Sequence, residues 1–205
     1  MEYMDVVRKR RSIRKFKDAP VPEEAVNDIL ESARLSPSGG NSQNWLFGVI
    51  TDKEVIRELA EDAGPQAWIA QTPLVIAVCA GITWKIGEQV EDDHGMKINK
   101  TRFTPELIQY LQDYPDQEAV AVLLENGTVM VPGEHICLTA ASHGLGSCWI
   151  GDINVKKASE ILRLPDTYAC VFLILIGYPD MEPVEIPRRT REEITFFNRY
   201  GGLNH

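Results

Sequence analysis

The sequence predicts one α+β domain, and three observations predict it. PLVIAVCA at 73–80 and YACVFLILIG at 168–177 are short apolar runs of the length expected for buried strands. VPEEAVNDILESARL at 21–35 places apolar residues at helical spacing. The 205 residues are 44% hydrophobic, enough for one substantial core, and contain no internal repeat, low-complexity tract or convincing linker.

The elements follow in order. Residues 2–9 read as a short helix leading into RKRRSIRKFK at 8–17, where seven of ten residues are Lys or Arg. In 21–35, Pro22 suits a first turn, and Glu23 and Glu24 suit the positive end of the helix dipole. Val26, Ile29, Leu30 and Ala33 share one face, and SPSGGNSQNW at 36–45 stops the helix. WLFGVI at 45–50 reads as a strand, and Thr51 or Asp52 can cap a helix over 53–62.

Residues 81–117 read as irregular and polar, because EDDHGMKINKTRF has no clean periodicity. A segment of this length is a candidate lid or binding loop, and equally a solvated insertion. Residues 118–144 are apolar at helical spacing, yet Asn126-Gly127 and Pro132-Gly133 predict breaks or kinks. GSCWIG at 146–151 reads as a short strand and Asn154 as the cap of a helix over 155–163. Tyr178-Pro179 ends the last strand, and 180–205 reads as an extended tail containing PRRTR.

The formal net charge is -9, so the surface repels phosphate backbones and a general nucleic-acid role is excluded. Charged residues stand near the N-terminus where the apolar core of a signal peptide would lie, and no apolar run reaches membrane-spanning length. Cys79, Cys137, Cys148 and Cys170 have neither CxxC nor zinc-site spacing, and Cys79 and Cys170 sit in apolar runs as reduced core residues. The expectation is a soluble cytoplasmic protein without membrane or metal.

Within this acidic chain the basic stretch stands out. Arg10, Ser12 and Arg14 alternate, so an extended chain points all three to one side, where two guanidiniums and a hydroxyl make an anion receptor. Arg11 and Lys15 then face the other way. SPSGGNSQNW offers exposed amides and short polar side chains to a flat ligand, but lacks the P-loop and GxGxxG patterns. GLGSCWIGD at 144–152 can turn backbone amides toward a ligand edge, and PRRTR at 187–191 is a second basic cluster. Taken singly, each is as readily a solvated charge run, a helix-ending loop or a tight turn. GxSxG, HxxxH and HExxH are absent; His94, His135, His143 and His205 are isolated, and Glu91, Asp92 and Asp93 suit a solvated face.

In this order, RRSIRKF, SPSGGNSQNW, GLGSCWIGD, LPDTY…LILIGYP and PRRTREEI resemble the FMN-dependent nitroreductase family over nearly the whole chain, with 81–117 as a variable insertion or lid. The resemblance implies a mixed, mainly antiparallel sheet flanked by helices. It implies one domain over 1–205 in an intertwined homodimer, two FMN sites at the interface and 118–144 as the central dimer helix. FMN contacts then fall on Arg10, Arg11, Ser12 and Arg14, and on Pro37, Ser38, Gly39, Asn41 and Gln43 from the other subunit. Ile150, Gly151 and Asp152 face the flavin ring. Arg188 and Arg189 join Arg10 at the phosphate, with Arg191 as a substitute.

The activity implied is FMN-dependent transfer of hydride from NADH or NADPH to a nitroaromatic, quinone or similar small acceptor in a ping-pong cycle. Arg14 and Gly151 would tune the flavin, and no side chain would act as a covalent catalyst. Reductive dehalogenation, flavin fragmentation, azoline oxidation and non-catalytic flavin binding are the alternatives on the same fold. Two departures bear on the substrate pocket. TWKIGEQVEDD after the second strand offers no match to ring-contacting Asn and Lys positions of some members, and Asp152 stands where a second glycine is common.

Overall fold

The computed structural model describes residues 2–200, so His205 and the end of the predicted tail lie outside the described residues. Helix α1 (Tyr3–Lys9) carries Asp5 in its first turn and Arg8 and Lys9 in its last, in accord with the helix dipole. Helix α2 (Glu23–Arg34) buries Ala25, Ile29 and Ala33, and Pro22 stands at its N-cap. Strand β1 (Trp45–Ile50) follows the predicted loop. Asp52, one of the two predicted caps, accepts from the Glu54 amide to start α3 (Lys53–Glu58), which runs into a π turn at Leu59–Ala63. Strand β2 (Leu74–Gly81) is buried along its whole length.

The segment 81–117 is not irregular. It forms α4 (His94–Arg102) and α5 (Pro105–Asp113), with a 3-10 turn at Ile86–Glu88. Ile86, Met96, Ile108 and Val120 close a small core of their own. The start of α5 has a sequence signal: Thr104 caps the Leu107 amide, and Pro105 takes a first-turn position. Helix α4 has no amphipathic pattern and gains its burial from its neighbours.

The predicted central helix over 118–144 is two helices, α6 (Gln117–Glu125) and α7 (Met130–Ser142). The chain breaks in the turn around Asn126-Gly127 but not at Pro132-Gly133. Pro132 lies in the first turn of α7, where a missing amide hydrogen costs no intrahelical bond. Gly133 lets the Trp149 ring lie on the helix, since a Cβ there would come within 2.1 Å of it. Strand β3 (Gly146–Ile150), α8 (Val155–Ile161, capped by Asn154), β4 (Tyr168–Gly177) and α9 (Arg191–Ile194) complete the chain.

The sheet order is β1-β2-β4-β3, antiparallel throughout. A parallel pairing does occur at the sheet edge, as an isolated bridge between Ser12 and Ser147 of β3. Alternate residues of β2 feed two cores. Leu74, Ile76 and Val78 meet α2 and α7, while Val75, Ala77 and Cys79 meet α3, α8 and the basic stretch. Opposite the Val78/Cys79 register shift, Val171 is extra in β4; the bulge sets Cys170 directly across from Cys79. The basic stretch runs beside β3, with Ile13 and Phe16 buried as its anchors. A Cβ on Gly146 would come within 2.6 Å of Ile13.

All four cysteines are buried free thiols. Burial pushes Cys137 up to about 12, and a hydrogen bond with Cys79 together with burial pushes Cys170 up. Below the ordinary thiol value of 9.0, folded and unfolded chains both hold these protons. Above it the unfolded thiols ionise while the buried ones do not, so the folded state binds more protons and loses stability as pH rises. The loss is about 1.4 kcal/mol per pH unit for each such thiol until its folded value is reached. Denaturant midpoints measured against pH are expected to stay flat to about pH 8.5 and fall steadily above it, with a shallower fall in Cys137→Ala. A flat profile through about pH 10.5 contradicts this account.

Candidate active site

The candidate anion-binding half is built where α1 ends. The Arg10 amide donates to the Val6 carbonyl, fixing the residue, and its side chain crosses to α7, where Nε lies 3.3 Å from Oε1 of Glu134. Two residues on, the Ser12 bridge to Ser147 holds the chain against β3, and the Ile13 amide donates to the Ser147 carbonyl at 2.9 Å. Burial pushes the Cys148 thiol up, while the Arg14 cation, a hydrogen bond with Ser12 and the Arg10 cation oppose it. The Ser12 bridge and the Ile13 bond thus carry Arg10, Ser12 and Arg14 along the β3 edge of the sheet. Arg14 is exposed and has no ion pair among the described residues.

The other basic side chains turn away. Arg11 donates to the carbonyls of Arg8 and Arg10, and Lys15 pairs with Asp180 at 2.8 Å. A hydrogen bond from Lys15 holds the Asp180 carboxyl below its usual range.

At the end of β3, the Ile150 side chain is buried in the core, so only its backbone can meet a ligand. Gly151 and Asp152 are exposed. The Asn154 amide donates to Ala63 at 2.6 Å, pinning this turn to the π turn after α3. The Asp152 side chain has no hydrogen bond or ion pair among the described residues.

The loop 37–43 is stiffened from within. Ser38 Oγ accepts from the Gln43 amide at 2.9 Å, and Asn41 and Gln43 adopt left-handed φ values of 55° and 47°. Such conformations cost non-glycine residues energy and are kept where surroundings enforce them. The base of the loop is tied to α7: Nδ1 of His135 lies 2.8 Å from Ser36 Oγ and 3.1 Å from the Ser32 carbonyl. A carbonyl only accepts, so this network assigns the hydrogen to Nδ1. Pro37, Gly39, Asn41 and Gln43 are exposed around this frame.

A single chain does not bring this loop to the basic stretch. The loop enters β1 at Trp45, which pairs with Ala80, on one edge of the sheet. Ser12 lies against Ser147 on the opposite edge, in the row of Ile176 and Leu74. The two positions are separated by four strand spacings, about 19 Å, and by about 20 Å along β2. Nor does the described chain join its two basic clusters. Arg188 and Arg189 are exposed on the tail, with no ion pair among the described residues, and Arg191 lies 3.8 Å from Glu192. Every residue from 182 to 200 is exposed.

Sequence reasoning missed Glu134 and His135. Both stand beside Pro132-Gly133, which reads as a helix break, so no face could be assigned to them. A hollow of about 580 Å³ between α6 and α8, floored by Ile82, Tyr168 and Ala169, contains none of the predicted site residues.

The model of the Nitroreductase family matches residues 7–178. A Thermus thermophilus protein named NADH dehydrogenase is 30% identical over 190 residues, covering 92% of each chain. A Bacillus subtilis protein named FMN reductase [NAD(P)H] is 28% identical over 192 residues, covering 93% of this chain and 71% of that one. Among solved structures, B. megaterium NfrA2 superposes with a TM-score of 0.72 at 26% identity, covering 98% of this chain and 76% of the other. The matched span includes the basic stretch, the 37–43 loop and the 150–152 turn, and this chain belongs to the nitroreductase family.

Proposed function

We propose that this protein is an FMN-dependent NAD(P)H oxidoreductase that works as a homodimer. The observation that carries the reading is the pairing of the basic stretch with the β3 edge, which holds Arg10, Ser12 and Arg14 together in a chain of net charge -9. The donor set fits a phosphate-bearing flavin: guanidinium forks and a hydroxyl for the phosphate end, and exposed backbone at 150–152 for the flat ring. The names of the Bacillus subtilis and Thermus relatives support the same chemistry.

When bound, FMN supplies the hydride chemistry, from NADH or NADPH to a nitroaromatic, quinone or similar small acceptor in ping-pong order. The chain binds, orients and shields. Arg10 with Arg188 or Arg189 would hold the phosphate, and Arg14 would stabilise negative charge on the ring. The amides of Gly151 and Asp152 would face the ring, with Ile150 contributing backbone only. Arg11, tied to the Arg8 and Arg10 carbonyls, serves by shaping the stretch rather than by direct contact.

Ser38, Gly39, Asn41 and Gln43, following Pro37, come from the second subunit, because one chain holds the two halves on opposite edges of its sheet. The tail fits the same assembly: its exposed Val184, Ile186, Phe196 and Phe197 have no core to join in one chain. The chain is one flavin-binding domain, with 81–117 as the lid that selects the acceptor. No described helix is long and apolar enough to cross a membrane, and we place the protein in the cytoplasm.

A visible spectrum of the purified protein, before and after anaerobic NADH and then NADPH, tests this. Flavin bands that bleach with one of them support the oxidoreductase and name its donor. Bands that persist with both reject it in favour of a flavin-binding protein. No flavin, even after incubation with FMN, rejects the site.

A further inference from the structure

The Arg10–Glu134 contact has a consequence beyond flavin binding itself, and it rests on Arg10 being the phosphate ligand. Glu134 forms an ion pair with the Arg10 guanidinium but no hydrogen bond, and neither Nη group of Arg10 donates to an acceptor among the described residues. A guanidinium has five donors in a rigid fork, so one carboxylate does not exhaust it. The contact is partly covered on one side only: the Arg10 side chain is 24% exposed and that of Glu134 45%. A phosphomonoester dianion arriving at the free Nη edge therefore lies one guanidinium width from a like charge that water screens incompletely.

We propose that Glu134 is a specificity-determining residue: it competes with the flavin phosphate for Arg10, weakens FMN binding and makes the flavin exchangeable. It acts only on ligands carrying the phosphate, so it narrows the preference for FMN over riboflavin. Glu134→Gln separates the two effects of this side chain. The glutamine keeps the size of the side chain beside the Arg10 guanidinium, while the negative charge is gone.

The test is a fluorescence titration of the flavin-stripped full chain with FMN and with riboflavin, in wild type, Glu134→Gln and Arg10→Ala. In Glu134→Gln, FMN is expected to bind about tenfold tighter, with the gain shrinking at high salt, while riboflavin binding stays unchanged. Riboflavin serves as the internal measure of an intact fold. Unchanged FMN affinity in Glu134→Gln, with Arg10→Ala weakened, overturns the competition and leaves the phosphate site standing. Equal shifts for both flavins assign Glu134 to packing and overturn it as well. Wild-type FMN affinity in Arg10→Ala overturns the phosphate site itself.

Discussion

Arg10→Glu is expected to yield a folded protein that retains no FMN. The substitution removes a charge-assisted contact to the phosphate and sets a second carboxylate beside Glu134, which already lies 3.3 Å from Arg10 Nε. Loss of the contact and the added repulsion together cost about 3–4 kcal/mol, or two to three orders of magnitude in affinity. The fold survives because the anchors of this stretch are Ile13 and Phe16, both buried, and not the arginine. An acidic residue at the end of α1 opposes the helix dipole by about 0.3–1 kcal/mol, a small penalty. Flavin content by absorbance and the far-ultraviolet circular dichroism spectrum decide the matter together. A yellow variant with wild-type flavin content removes Arg10 from the phosphate site.

The second large effect is expected at the tail. Phe196 and Phe197 are 58% and 57% exposed in the chain by itself, beside exposed Ile194 and Tyr200. Isolated exposed apolar residues are ordinary, but a run of them on a segment without a core marks an interface. If the tail packs on a second copy, each phenyl ring buried there contributes about 2 kcal/mol. The Phe196→Glu/Phe197→Glu double variant then weakens the dimer by about 4 kcal/mol or more, roughly a thousandfold. Light scattering is expected to show a dimer for wild type and the 23.0 kDa chain for the variant. FMN should be lost with the dimer, because the 37–43 loop then has no partner site to enter. A variant that stays dimeric and flavin-loaded places the interface elsewhere.

Much of the architecture was legible locally. The buried strands 73–80 and 168–177, the 21–35 helix, and the Asp52 and Asn154 caps all declare themselves through period, length and capping chemistry. The 94–102 helix was not legible. Its residues share no apolar stripe, and it is held by the small core around Ile86, Met96 and Ile108. Pro132-Gly133 misled for a related reason. Proline forbids an interior helix position but suits a first turn, and only the turn at 126–129 makes 132 a first-turn position.

The candidate site divides along the same line. By itself the sequence determined the chemistry of the candidate anion receptor. Alternating Arg10, Ser12 and Arg14 in an acidic chain specify charge, donors and facing without reference to any distant residue. Only the tertiary structure decided which groups those side chains meet. It brought Glu134 to Arg10 and His135 to Ser36, from adjacent positions of one helix, across 124 and 99 residues of chain. It also set the 37–43 loop and the basic stretch on opposite edges of the sheet. The physical reason is that period and propensity act over a few residues, while strand order and helix packing are settled by burial of the whole core.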